Sequence, residues 1–189
     1  MKKIYLIHGW QSSPEDGFFP WLKKELGSRG FEVIALSMPD PNYPKIETWV
    51  PYLQKQIKDP DENTFILAHS IGCQAILRYL ETLNKDQKIG GVVLLAGWLH
   101  LKNKAREVDE NLKIARPWLD TPIDWEKIKL HCNKFVAIAS DNDPIVPLSD
   151  LEIFAEKLSA KTLIEKNQSH FEDALELPSA LEAIWEIAD

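Results

Sequence analysis

Six short apolar runs recur along the chain: Lys2–Ile7, Phe31–Leu36, Thr64–Ala68, Lys88–Ala96, Lys134–Ala139 and Lys161–Glu165. Several are apolar almost without interruption, as in Ile4-Tyr5-Leu6-Ile7 and Phe65-Ile66-Leu67-Ala68. Strands buried on both faces have this composition. Between the runs, apolar residues recur at helical spacing. Phe18, Phe19, Trp21, Leu22 and Leu26 predict a helix that Gly27 or Gly30 ends. Trp49, Val50, Leu53 and Ile57 predict a second over Ile46–Ile57, with Pro51 in its early turns, where proline is tolerated. Further helices are expected at Cys73–Leu83, Leu148–Leu158 and Phe171–Ile187, the last interrupted at Pro178. The stretch from Gly97 to Asn133 is the least regular, with one charged, exposed helix expected over Lys102–Lys113. Strand–helix alternation predicts an α/β fold of about six mainly parallel strands wrapped by helices on both faces. At 189 residues, a single domain spanning 1–189 is the expected count.

The chemistry is expected at Leu67-Ala68-His69-Ser70-Ile71-Gly72, where an apolar strand turns into a helix. A serine at such a strand–turn–helix junction is held in a strained conformation with its hydroxyl exposed. Small residues on either side, here Ala68 and Gly72, let strand and helix pass closely, although glycine is usual at both places. A serine before a helix can also serve only as its N-cap, so partners elsewhere must decide. They occur in the order Ser, acid, His. After the fifth run comes Asp141-Asn142-Asp143-Pro144-Ile145-Val146-Pro147, with Asp143 at the Asp-x-x-Val-Pro position. Asp141 is its nearby rival and Asp150 a third choice. After the sixth run comes Asn167-Gln168-Ser169-His170-Phe171. The expected catalytic set is therefore Ser70 as nucleophile, His170 as base and Asp143 as acid. The backbone N–H groups of Ile71 and Trp10 are the expected oxyanion donors, with Gly9 permitting close approach. His8 is expected to pack and hydrogen-bond beneath that loop.

With these motifs together, the chain resembles the small alpha/beta hydrolases of the retinoblastoma-binding protein 9 and YdeN family of serine hydrolases. The resemblance spans essentially the whole length. It is carried by His8-Gly9-Trp10, Trp21-Leu22-Lys23-Lys24-Glu25-Leu26, Met38-Pro39-Asp40-Pro41, His69-Ser70-Ile71-Gly72, Arg116-Pro117-Trp118, Trp125-Glu126-Lys127-Ile128, Asp143-Pro144 with Pro147, and a glycine-like Ser169 before His170-Phe171. It implies an alpha/beta-hydrolase fold with a minimal lid, and hydrolysis of small esters or amides. Gly97–Asn133 occupies the place where larger members of the superfamily insert a lid. The resemblance does not imply retinoblastoma binding, because Leu130-His131-Cys132-Asn133-Lys134 has lysine where Leu-x-Cys-x-Glu needs glutamate. A hydrolase-fold binding module, and a thioesterase or acyltransferase, are the competing readings.

For the substrate pocket the expected residues are His69, Trp98 and Met38. The proline-dense loop Ser37–Pro44 can serve as a pocket rim or as a rigid connector. Trp98, Trp118 and Trp125 can line a pocket or fill core, and core packing is the more frequent use of tryptophan.

Composition narrows the rest. No apolar run approaches the ~20 residues of a membrane-spanning helix, so no membrane association is expected. No signal-peptide arrangement is seen at the N-terminus, and Cys73 and Cys132 are too few for a disulfide framework. A cytoplasmic protein with reduced thiols is the expectation. The net charge of −7 speaks against a nucleic-acid partner, which would need a basic patch. His8, His69, His100, His131 and His170 lack ligand spacing, so no metal is expected, and no glycine-rich dinucleotide loop calls for a cofactor. The expected partner is a small-molecule ester or amide, and oligomeric state is left open.

Overall fold

The computed structural model describes residues 1–102 and 109–189. All six expected strands form: β1 (Lys3–Ile7), β2 (Glu32–Leu36), β3 (Thr64–His69), β4 (Gly91–Leu95), β5 (Phe135–Ser140) and β6 (Lys161–Glu165). They make one sheet in the order β2-β1-β3-β4-β5-β6, every neighbouring pair parallel. Seven helices are found among the described residues: α1 (Phe19–Ser28), α2 (Ile46–Gln56), α3 (Ile71–Glu81), α4 (Asp109–Asp120), α5 (Trp125–His131), α6 (Ser149–Leu158) and α7 (Pro178–Ala188).

Alternate side chains of the strands enter two separate cores. Ile4, Leu6, Phe65, Leu67, Val93, Leu95 and Ile138 face α1 and α7. Tyr5, Ile7, Ile66, Ala68, Val92, Leu94 and Ala137 face the layer that contains α2, α3 and α6. Two covered faces explain why β1 and β3 read as apolar almost throughout. The interior helix α3 is buried at every position from Ile71 to Leu80. It carries a buried arginine, Arg78, which donates to the carbonyls of Trp118 at 2.8 Å and Thr121 at 2.7 Å. Its guanidinium also stacks 5.6 Å from the Trp118 ring centre. One buried cation thus donates to carbonyls at and just beyond the C-terminal end of α4.

Three helices differ from expectation. The charged helix runs from Asp109 to Asp120 and continues through Pro117, whereas Lys102–Lys113 was expected; residues 103–108 lie outside the described residues. The unforeseen α5 starts at an N-cap, where the Asp124 carboxylate accepts from the Lys127 N–H at 3.0 Å. The last helix begins at Pro178, not at Phe171. Proline lacks an N–H that the first helical position has no use for, so it opens this helix instead of interrupting a longer one.

The sheet order places β2 on one side of β1 and all later strands on the other. The chain therefore reverses its direction of winding between β1 and β3. A crevice opens at such a reversal, beyond the C-terminal ends of the two strands, and ligands bind there in open α/β sheets. The loops that begin at His8 and at Ser70 leave from these two strand ends. No helix among the described residues is long and apolar enough to cross a membrane.

Candidate active site

Ser70 is the single residue between β3 and α3. Its backbone lies at φ 55° and ψ −123°, a region that side-chain-bearing residues rarely adopt. Two neighbours hold it there. The Ser70 N–H donates to the Leu95 carbonyl of β4 at 2.9 Å, and the first turn of α3 lies against the end of β1 at Gly72. A Cβ added at Gly72 would stand 2.8 Å from the His8 carbonyl oxygen and 3.1 Å from that of Ile7. Only glycine permits that approach. At Gly9 a Cβ would stand 3.2 Å from both Ser70 Cβ and His69 Nδ1, so a second glycine lets the β1 loop close over the serine.

Ser70 Oγ lies 2.8 Å from His170 Nε2, and His170 Nδ1 lies 2.7 Å from Asp143 Oδ2. Because the carboxylate can only accept, Nδ1 carries the ring proton, and Nε2 presents a lone pair to the serine hydroxyl. The other Asp143 oxygen, Oδ1, accepts from the N–H groups of Ile145 at 2.7 Å and Val146 at 2.9 Å. Burial alone would raise the Asp143 pKa. The hydrogen bond and charge of His170, with these two N–H groups, outweigh burial and hold the carboxyl below its ordinary range.

Neither rival aspartate reaches His170. Asp141 Oδ1 accepts from the Asn167 N–H at 2.9 Å. Asp150, fully buried, accepts from the N–H groups of Leu99 at 2.6 Å and His100 at 2.7 Å, and pairs with His100 Nδ1 at 2.6 Å. Both carboxylates therefore fix loops. Asp141 belongs to a clasp that sequence reasoning missed. The Gln168 N–H donates to Ser140 Oγ at 3.0 Å, and the Ser169 N–H donates to Asn142 Oδ1 at 2.8 Å. Three successive amides before His170 are thus caught by three successive side chains, from the last residue of β5 onward. The same loop takes positive φ at Asn167, Ser169 and Phe171. The strain at Phe171 is borne because its side chain is fully buried in the α1–α7 core.

His69 supports His170 from the other side. Its Nε2–H donates to the His170 carbonyl at 2.9 Å, and the two rings lie 5.1 Å apart. Burial, reinforced by the neighbouring His170, lowers its pKa to about 3, so it stays neutral. His8 behaves as expected beneath its loop: Nε2 accepts from the Met38 N–H at 2.9 Å, and burial lowers its pKa.

The N–H groups of Ile71 and Trp10 have no hydrogen-bond partner among the described residues. The loop carrying Trp10 is tied down by Trp10 Nε1–H to the Asn42 carbonyl at 2.9 Å and by the Gln11 N–H to the Pro41 carbonyl at 2.9 Å. The proline-dense loop thus acts as a connector that buttresses the Trp10 loop, and none of its residues lines the cavity.

A cavity of about 500 Å³ opens above Ser70. Trp10, Phe18, Trp98, Leu101, Ile145 and Phe171 supply the apolar part of its wall, and Gln11, Ser12, Asp16, Asn111 and Glu172 a polar part nearly as large. Of the three expected pocket residues, Trp98 and His69 line this cavity. Met38 does not; it is 2% exposed and packs in the core. Trp98 is set by Gln74, whose Nε2–H donates to its carbonyl at 2.5 Å. Trp118 packs on Trp49 and Trp125 on Phe154, so these two fill core. No group of three or more His, Cys, Asp or Glu side chains is placed to hold a metal among the described residues.

Comparison with known proteins bears on the family and the fold. A family model described as serine hydrolase matches residues 4–181. YdeN of Bacillus subtilis (strain 168) is 34% identical over 170 residues, which cover 90% of this chain and 86% of that protein. The serine hydrolase RBBP9 of Rattus norvegicus is 28% identical over 158 residues, covering 83% and 79%. The crystal structure of the B. subtilis ydeN gene product superposes with a TM-score of 0.89 at 32% identity, covering 99% and 98% of the two chains. A structure from a study of Nitrososphaera gargenis carboxylesterases shares the fold, with a TM-score of 0.72 at 14% identity and coverage of 99% and 90%.

Proposed function

This chain belongs to the serine hydrolase family, and within it we propose that Ser70, His170 and Asp143 form the catalytic triad that cleaves small esters or amides through an acyl-enzyme. The observation that carries the proposal is the unbroken hydrogen-bonded line from Asp143 through His170 to a serine held at positive φ.

The chemistry follows from where the protons stand. His170 Nε2 takes the hydroxyl proton as Ser70 Oγ bonds to the substrate carbonyl carbon. The resulting imidazolium keeps its Nδ1–H on Asp143, whose lowered pKa keeps it an anion. Charge gathers on the former carbonyl oxygen, toward which the N–H groups of Trp10 and Ile71 are free to donate. When the tetrahedral intermediate collapses, His170 returns its proton to the departing alcohol or amine. Water then repeats the sequence on the acyl-enzyme and frees the acid. His69 stays uncharged through both halves, so it adds no second positive charge 5.1 Å from the imidazolium.

The cavity supports compact substrates. Its volume of about 500 Å³ and its aromatic walls suit a short or aromatic acyl group. The test is stopped-flow hydrolysis of p-nitrophenyl acetate alongside aminoacyl amides. The proposal expects a burst of one p-nitrophenolate per active site followed by slower turnover. Absence of both burst and turnover on every substrate would leave the fold acting as a binding module. Transfer of the acyl group to added thiols faster than to water would make it an acyltransferase.

A further inference from the structure

Strand β6 ends the sheet and leaves its outer edge open. Four of its five residues, Lys161 to Ile164, are exposed, whereas none of the five in β2 at the opposite edge is. Leu163 is 39% exposed and Ile164 51%, and as successive strand residues they project to opposite faces. An open edge with apolar residues on both faces is a template for another strand.

The backbone direction settles which groups are free. The Asp141 N–H donates to the Glu165 carbonyl at 3.0 Å, in the register that sets Ser140 against Glu165. In a parallel pair, the N–H and C=O of one residue turn to the same side, and successive residues alternate. Lys161, Leu163 and Glu165 therefore bond toward β5. Thr162 and Ile164 turn their N–H and C=O outward, where no segment among the described residues pairs with them.

We propose that this edge pairs with β6 of a second copy of the chain, antiparallel, about a two-fold axis at Leu163. The sequence Lys-Thr-Leu-Ile-Glu is self-complementary in that register. Leu163 faces Leu163 of the second copy. Thr162 faces Ile164 of the second copy and Ile164 faces its Thr162, so the four outward donors meet four outward acceptors. Lys161 faces Glu165 of the second copy at each end, in a pairing where side chains approach most closely. A slip of one residue would set outward groups against inward ones and leave no hydrogen bonds. A slip of two would take both lysines off their glutamates. Lys161 Nζ is paired with Glu186 Oε2 at 2.6 Å, which holds the ammonium on the face that Glu165 of the second copy would reach and lets the two carboxylates share it. The product is a continuous twelve-stranded sheet. Because the two halves run antiparallel, the Ser70 ends point opposite ways and both cavities stay open.

Sedimentation velocity of the full chain, from about 1 to 100 μM, tests this. The expected result is a concentration-dependent species of about twice 21.7 kDa. Lys161→Glu and Glu165→Lys should each weaken dimerisation by roughly tenfold or more in Kd, because symmetry counts each change twice. The double variant K161E/E165K restores both pairs and should return to within about threefold of the wild type. Thr162→Pro deletes only an outward N–H and should give a folded monomer. A wild type that stays monomeric across the range overturns the proposal. So does a double variant no better than the singles, or a Thr162→Pro chain that is folded by circular dichroism and still dimeric.

Discussion

Replacing Asp143 by asparagine should separate the acid from its neighbour more sharply than any other single change. The carboxylate uses both oxygens: Oδ1 accepts from the Ile145 and Val146 N–H groups, and Oδ2 accepts from His170 Nδ1. An asparagine can keep only one oxygen. If that oxygen stays on the two backbone amides, its NH₂ faces His170 and forces Nδ1 to accept. The ring proton then moves to Nε2 and points at Ser70 Oγ, so the base has no lone pair for the hydroxyl proton. A wrong tautomer of this kind costs on the order of 10⁴ in kcat, about 5.4 kcal/mol of transition-state stabilisation. Asp141 offers a control two residues away. Its Oδ1 accepts one amide, from Asn167, and asparagine retains a carbonyl oxygen for that bond. Asp141→Asn should therefore lose less than about tenfold in kcat and alter loop stability only slightly. The assay is steady-state hydrolysis of p-nitrophenyl acetate, with thermal unfolding to show that both variants fold. Equal losses would refute the reasoning, because the loop and not one carboxylate would then govern the base. A large loss from Asp141→Asn alone would place the acid two residues earlier.

Two further outcomes are expected. His69 is protonated in the unfolded chain below about pH 6.5 but remains neutral in the fold down to about 3, so the unfolded state binds more protons in that window. Stability should fall with decreasing pH there, by about 1.4 kcal/mol per unit for each histidine held neutral, with His8 acting in the same direction. His69→Gln keeps a donor for the His170 carbonyl without titrating, so urea unfolding at pH 7 and pH 5 should show a shallower loss; identical slopes would contradict this. Gly72→Ala should lower stability by about 1–3 kcal/mol in urea unfolding, because both atoms its Cβ approaches most closely are backbone carbonyl oxygens. It should also reduce kcat by more than about tenfold, since separating α3 from β1 moves the Ile71 N–H relative to that of Trp10; unchanged activity would mean the two strand ends need no such closeness.

Much of this structure is legible in the sequence because two-sided burial writes itself as continuous apolar runs. All six strands and their parallel order of alternation with helices follow from those runs. Ser70, Asp143 and His170 stand out in the sequence because each follows a strand, and the loops after β5 and β6 bring Asp143 and His170 to Ser70. Helix ends were less legible. Pro178 reads as an interruption in the sequence because a proline near a helix start and a proline within one look alike until the preceding backbone is seen. The short α5 was missed although Asp124 stands at its N-cap, since seven residues give too little periodicity to register. Met38 was expected in the pocket because its loop leaves a strand's C-terminal end. Its backbone N–H is instead held by His8, and its side chain points into the core. The clasp of Ser140, Asp141 and Asn142 on the His170 loop leaves one trace, a polar triplet at the end of a strand. Its partners are backbone amides, which carry no sequence signal.

The central claim is that Ser70 is the nucleophile, and covalent capture tests it most directly. The chain is incubated with a fluorophosphonate, and the product is read by intact mass and peptide mapping. The account predicts one adduct per chain, on Ser70, and none on a Ser70→Ala variant that keeps its circular dichroism spectrum. An adduct that persists in Ser70→Ala, on Ser12 or Ser169 for instance, would contradict it.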